Sequence, residues 1–377
     1  YLSNQWGDGI HNFSITSAAL DLKYQIESVS MDTQGPVIVY GVSYGTQWLN
    51  RLLLIAPDIV DRAIMDGVVH PMLTSVSRYD ITANQAVMDT FTYCALDSVC
   101  SQQFGGIQTP AQTLRKILDE LQDGTNKCSK LLEQEITAAD LRATMFVMSE
   151  SGDSYYVRAL MPALIFRFNR CNSDDIEVLN HFFFGGSASK SIFLKSVKSR
   201  DVLDAPESFS KVLNFNIVLS ERYTAPGESV PSVATAEDWY HATISSPNDA
   251  QNYAALYPVW NKYTPDEYYA VVSHYTPVLM LQGQLDPATP VAQTDQLAAI
   301  TPERFYVKVP LAGHVTSLMA AVGLSCTLDI IVTFGLTGKV DTSCISSLPT
   351  VIDFAGATAP VQQAGLDYFG TTDLWGL

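Results

Sequence analysis

No stretch of this sequence approaches the roughly 20 consecutive apolar residues that a membrane-spanning helix needs, so no span is expected. Positive charge is also scarce. Lys and Arg number 22 against 39 Asp and Glu, a formal net charge of -17, and no basic stripe offsets it. Nucleic acid and anionic membrane surfaces are therefore excluded as expected partners, and the spread of acidic residues serves solubility first. The six cysteines, at 94, 100, 128, 171, 326 and 344, lack the close paired spacing of a metal site. No internal repeat, low-complexity tract or long linker interrupts the chain, and the opening Tyr1-Leu2-Ser3-Asn4 lacks the pattern of a signal peptide. Such a start is expected of a mature, processed or truncated end.

What remains is an ordinary globular composition, 47% apolar and 16% charged, in a chain long enough for a large core. An even cysteine count, an acidic balance and the sequon Asn12-Phe13-Ser14 together favour an oxidising compartment, secreted or lysosomal/vacuolar, with Asn12 as a glycosylation acceptor. Connectivity is not fixed by sequence; the expected pairs are the local ones, Cys326–Cys344 first, then Cys94–Cys100 and Cys128–Cys171.

The chain is organised around Val37 to Thr46. A β-branched and aromatic run ends in Gly41-Val42-Ser43-Tyr44-Gly45, and an apolar-periodic segment with Trp48, Leu49, Leu52, Leu53 and Ile55 follows at once. Strand, sharp turn and helix in that order form a nucleophile elbow, with Ser43 as candidate nucleophile and a glycine expected on each flank for close helix–strand packing. Before it, Thr16 or Ser17 is expected to cap a helix carrying Ala18, Leu20, Leu22, Ile26 and Val29. After it, residues 63–69 read as a second buried strand. From Pro71 to about Ser273 helical signals dominate, among them Thr109-Pro110 and Thr137 as helix starts. Gly185 to Ser189 reads as a loop. Strand patterns return at residues 277–282 and 304–310, flanking an alanine-rich helix. The expected fold class is α/β, a mostly parallel sheet with a large helical insertion. Its expected parts are 1–71 (core), 72–272 (helical cap) and 273–377 (core).

A serine hydroxyl is a weak nucleophile and needs an imidazole to take its proton and a carboxylate to orient that imidazole. Asp286 follows the 277–282 strand and His314 follows the 304–310 strand, which gives the order Ser, Asp, His, each residue just beyond a strand. The backbone N–H of Tyr44 is the expected oxyanion donor. No metal or organic cofactor is implied.

These residues resemble the α/β-hydrolase serine peptidases that include prolyl aminopeptidase and the secreted tripeptidyl aminopeptidases. The resemblance rests on Gly7-Asp8-Gly9, Tyr40 to Thr46, Asp66-Gly67-Val68-Val69, Gln282 to Pro290 and Ala312-Gly313-His314, and spans most of the chain. It implies a serine aminopeptidase acting on free peptide amino termini through Ser43, Asp286 and His314, with Glu221 similar to an acidic residue that reads the substrate's ammonium group. A carboxylesterase or lipase, or a non-catalytic binding module on the same scaffold, are the alternatives. The resemblance further implies about eight strands where the sequence supplies four. A separate amino-terminal segment or chain is thus expected to complete the sheet, cover the strand before the elbow and bring a second oxyanion donor.

Overall fold

The computed structural model describes residues 6–31, 35–105, 108–150, 154–185, 210–247, 250–272, 276–318 and 324–377. Most of the loop expected over Gly185 to Ser189 lies outside them. The chain divides into two compact units. One comprises residues 1–79, 205–238 and 249–348, the other residues 80–204, 239–248 and 349–377.

The first unit holds a four-stranded sheet, β1 (Ile38–Val42), β2 (Arg62–Asp66), β3 (Val278–Gly283) and β4 (Arg304–Val309), in that spatial order and parallel throughout. A parallel sheet hides both faces, and the sequence shows it: every residue of β3 is buried. Because successive side chains alternate between faces, Ala63 and Met65 of β2 join Val278 and Met280 of β3 on one side. There they pack with Ala19 of α1 (Ile15–Ser30), with Leu49, Leu52 and Leu53 of α2 (Tyr44–Ile55), and with Leu297 and Ala298 of α3 (Val291–Ile300). On the other side α4 (Leu324–Thr337) sets Phe334 edge-on to Phe305 of β4, ring centroids 5.6 Å apart. Among the described residues β1 is an edge strand, and Ile38 and Tyr40 stand 36% and 42% exposed there.

Two local expectations change. The cap of α1 is Ser14, whose hydroxyl accepts from the Ser17 N–H at 3.1 Å, and not Thr16 or Ser17, which lie inside the helix. Three hydroxyl residues within one turn leave the cap to the backbone; Ser14 is the one with extended dihedrals. The flanking glycines also differ in kind. A Cβ on Gly41 would lie 2.5 Å from the Gly45 carbonyl oxygen, whereas one on Gly45 would meet nothing within 4 Å, so close helix–strand approach requires only the first.

The second unit is helical. Its helices Pro110–Gln122, Ala138–Glu150 and Ser154–Arg170 carry the buried Leu114, Ile117, Leu118, Leu141, Met145, Met148, Leu160 and Leu164. A capping box of Thr109 and Gln112 starts the first, with Pro110 at its opening position. The C-terminal residues belong to this unit: helix Ala359–Phe369 sets Phe369 edge-on to Phe182, and Arg167 donates to the Leu374 carbonyl. Cys94–Cys100 and Cys128–Cys171 are joined within this unit and Cys326–Cys344 within the first, the pairs expected from proximity in sequence. Among the described residues no helix is long and apolar enough to cross a membrane.

Candidate active site

Ser43, Tyr44, Asp286 and His314 fall in the first unit, each just beyond the carboxyl end of one of its strands, and Glu221 falls in the same unit in a helical turn. Ser43 follows β1 with φ 52 and ψ -125, a conformation that few non-glycine residues adopt and that costs about 1 to 3 kcal/mol. The turn persists because its surroundings hold it. The Ser43 N–H donates to the Asp66 carbonyl at 2.9 Å, and its own carbonyl accepts from the Thr46 hydroxyl at 2.7 Å. The Thr46 oxygen in turn accepts from the Val69 N–H at 2.9 Å. The elbow is thus pinned to the end of β2.

Tyr44, the next residue, opens α2. Its N–H, being the first of the helix, has no backbone acceptor among the described residues and stands where helix polarity favours negative charge. The Tyr44 ring lies under the Arg222 guanidinium, 5.6 Å from the ring centre, and burial, aided by the Glu221 charge, pushes its phenol up to about 12.

Asp286 is buried in a turn that wraps its carboxylate. The N–H groups of Ala288 and Thr289 donate to Oδ1 at 2.8 Å each, while the Thr289 hydroxyl at 2.7 Å and the Gln282 amide at 3.0 Å donate to Oδ2. His314 places Nδ1 at 2.9 and 3.1 Å from the two carboxylate oxygens. Burial pushes the Asp286 carboxyl up, but the His314 charge and the hydrogen bonds from His314 and Thr289 outweigh it and hold the group below the usual carboxylate range. An ionised acceptor facing Nδ1 puts the proton of a neutral imidazole there and makes Nε2 the basic nitrogen of the ring.

The His314 ring rests against Gly67: a Cβ there would lie 2.9 Å from Cε1. Gly67 also has φ +66, so two separate constraints hold glycine at this place. Ser43 and His314 thus each lie against Asp66-Gly67, one held by the carbonyl of Asp66 and the other resting on Gly67. The Ser43 hydroxyl itself makes no hydrogen bond among the described residues. Such bonds are commonly long without substrate and tighten on binding.

Glu221 stands in a π-helical turn, Val218–Arg222, buried and engaged at both oxygens. Arg51 of α2 donates to Oε2 and the Tyr263 hydroxyl to Oε1, each at 2.6 Å. Asn12 ends a short 3-10 helix, Gly7–Asn12, and is exposed.

Sequence reasoning left Gln282 and Thr289 without a task, although both lie in the same run as Asp286. Gln282 accepts from the Val68 N–H and the Thr294 hydroxyl, at 2.9 Å each, and donates to Asp286 and to the Thr289 carbonyl, so a single buried amide ties the Asp286 turn to the residues just after β2.

Residues 247–344 match the family model Abhydrolase_4, described as TAP-like protein. The matched segment includes Asp286 and His314 and the strands β3 and β4, and the match makes this part of the chain similar to α/β-hydrolase domains related to tripeptidyl aminopeptidases. No curated protein matches the chain.

Proposed function

We propose that the chain is a serine hydrolase that releases short peptides or single residues from free peptide amino termini. Ser43 attacks the scissile carbonyl and is acylated. His314 Nε2 takes the Ser43 proton as base and returns it to the leaving amine as acid. It then takes a proton from the water that attacks the Ser43 ester and returns it to Ser43 Oγ as the acyl peptide leaves, and Asp286 keeps the imidazole in the tautomer that can do so. The Tyr44 N–H stabilises the oxyanion. The observation that carries this reading is the pairing of a buried, ionised Asp286 with His314 beside a serine held in a strained turn. The peptidase direction is supported by the TAP-like match over 247–344.

Glu221 is the proposed receptor for the substrate's ammonium group. Each of its oxygens keeps a lone pair beyond the bonds to Arg51 and Tyr263, yet Arg51 offsets its charge. The ammonium contact therefore belongs at the lower end of the ~1.5 to 3 kcal/mol expected of a charged hydrogen bond, about tenfold in selectivity for free over acetylated amino termini. The disulfides and the exposed Asn12 sequon support a secreted or lysosomal/vacuolar setting. The exposed apolar edge of β1 supports pairing with a strand of another segment or chain, and slow exchange of the β1 amides only in its presence tests that.

The deciding experiment is a panel of aminoacyl, dipeptidyl and tripeptidyl chromogenic substrates, free and acetylated, beside simple esters. Preference for a free amino terminus, lost in Ser43→Ala, supports the aminopeptidase. Turnover of esters alone assigns a carboxylesterase, and no turnover with no labelling of Ser43 by a fluorophosphonate assigns a binding module.

A further inference from the structure

Asp66 ends β2, and its side chain takes no part in the proton transfers just described. Its carboxylate is fully buried and has four donors. Oδ1 accepts from the Thr316 N–H at 2.7 Å and the Thr316 hydroxyl at 3.0 Å; Oδ2 accepts from the Ser317 N–H at 2.8 Å and the Tyr40 hydroxyl at 3.1 Å. Tyr40 also shares a 2.5 Å hydrogen bond with Ser317. The donors come from two places. Tyr40 is three residues before Ser43 on β1, and Thr316 and Ser317 follow His314 by two and three residues, across Val315 with its positive φ of 62. The backbone of the same residue, meanwhile, accepts from the Ser43 N–H.

We propose that Asp66 is a positioning residue that sets His314 against Ser43 by holding the backbone after His314 with its carboxylate and the elbow with its carbonyl. The inference rests on the serine-hydrolase reading above. Two independent loops have to meet within the reach of one proton transfer, and a single residue that grips both fixes their separation without touching substrate. A carboxylate is required because all four groups donate and two are backbone N–H groups that cannot reverse. An amide at this position offers one accepting oxygen and turns an N–H₂ toward either the Thr316 or the Ser317 N–H, leaving donor against donor. Burial pushes the Asp66 carboxyl up, and the hydrogen bonds from Ser317 and Thr316 work against that rise.

The test compares wild type, Asp66→Asn, Thr316→Val and Tyr40→Phe on p-nitrophenyl acetate and by proton NMR of the downfield His314 Nδ1–H, with Ser43→Ala and His314→Gln as controls. Asp66→Asn is expected to lower kcat about 10²-fold with KM within roughly twofold, the cost of misplacing a catalytic group by about 1 Å, and to shift or broaden the downfield proton. Thr316→Val keeps both backbone bonds and is expected to stay within about threefold of wild type. Full kcat and an unmoved proton in Asp66→Asn would overturn the proposal, as would equal losses in Thr316→Val and Asp66→Asn, because that pattern belongs to general packing. Should Asp66→Asn fail to fold, Tyr40→Phe decides: a severalfold fall in kcat at constant KM supports the proposal, and no fall removes it. If Ser43→Ala keeps wild-type turnover, the serine-hydrolase reading fails, and the NMR arm alone still decides whether Asp66 holds His314.

Discussion

Replacing Gly41 with alanine puts a methyl group 2.5 Å from the Gly45 carbonyl oxygen, 2.9 Å from its carbon and 3.2 Å from Leu49 Cβ. None of these is the free end of a flexible side chain. The first turn of α2 has to retreat from β1 by about 0.5 Å or more, and overpacking against main chain belongs at the top of the usual ~1 to 3 kcal/mol range. Four residues away, a methyl group on Gly45 meets nothing, and because Gly45 lies inside α2 the substitution gains about 1 kcal/mol of helix propensity. The two variants of one five-residue motif should therefore differ by about 4 kcal/mol, roughly a thousandfold in the unfolding constant. Urea denaturation followed by far-ultraviolet circular dichroism reads the difference, and ester turnover reads its effect on Ser43, with about a 10²-fold loss expected for Gly41→Ala alone. Equal stability losses in the two variants would refute the steric argument, and so would a stable Gly41→Ala with full turnover.

Acid should weaken the fold through His70, which is buried, accepts from the Met72 N–H at 3.1 Å and is pushed down to about 4 by burial. A histidine whose folded value lies below its unfolded one gives stability that is complete above about pH 6.5 and is lost as pH falls toward 4, here about 3 kcal/mol; urea midpoints across that window should fall in wild type and stay flatter in His70→Phe. Glu221→Gln removes the close partner charge of Arg51 and leaves it the longer pair with Asp266 at 3.4 Å and the bond to the Thr16 hydroxyl. Breaking this buried pair of 3% and 1% side-chain exposure should therefore cost about 3 kcal/mol, the low end for such pairs, while Arg51→Met with Glu221→Leu should recover most of it. If Glu221→Gln is as stable as wild type, the pair does not hold the fold as drawn. Opening Cys326–Cys344, which closes an 18-residue separation, by the double serine variant should lower stability by about 3 kcal/mol, and an unchanged denaturation midpoint would speak against any structural role for that bridge.

The elements that sequence made legible are those whose signals are local. The elbow, the acid turn and the His314 loop each announce themselves within ten residues, and the order in which they occur selects the fold class before any coordinates. The three disulfides join cysteines that are neighbours in sequence order, at separations of 6, 43 and 18 residues, which made them the expected pairs although sequence fixes no connectivity. What escaped depends on partners far away in the chain. Nothing near Glu221 indicates that Arg51, 170 residues earlier, occupies its carboxylate, and nothing near Asp66 indicates that its four donors come from residues 40, 316 and 317. The expected divisions at 71 and 272 followed a change in composition. Contacts instead group 205–238 with the sheet and carry the turn-rich C-terminal residues to the helical unit. Ser14, Thr16 and Ser17 show the opposite limit, where several equivalent side chains stand within one turn and only backbone geometry chooses among them.

The strand order has a consequence for how the molecule is made. β3 and β4 pair Val278 with Arg304, but β2 and β3 pair Ala63 with Val278 across more than half the chain. Closing the second loop costs about 2 kcal/mol more chain entropy than closing the first, and nothing repays it until the strands are in register. During synthesis β1 and β2 leave the ribosome long before β3 exists, so the apolar edge of β2 waits unpaired while the helical residues are made. Asp286 and His314 arrive on the late side of that gap and Ser43 on the early side. The proposed triad is therefore complete only once that long-range contact forms, and activity regained on refolding should trail the recovery of helix.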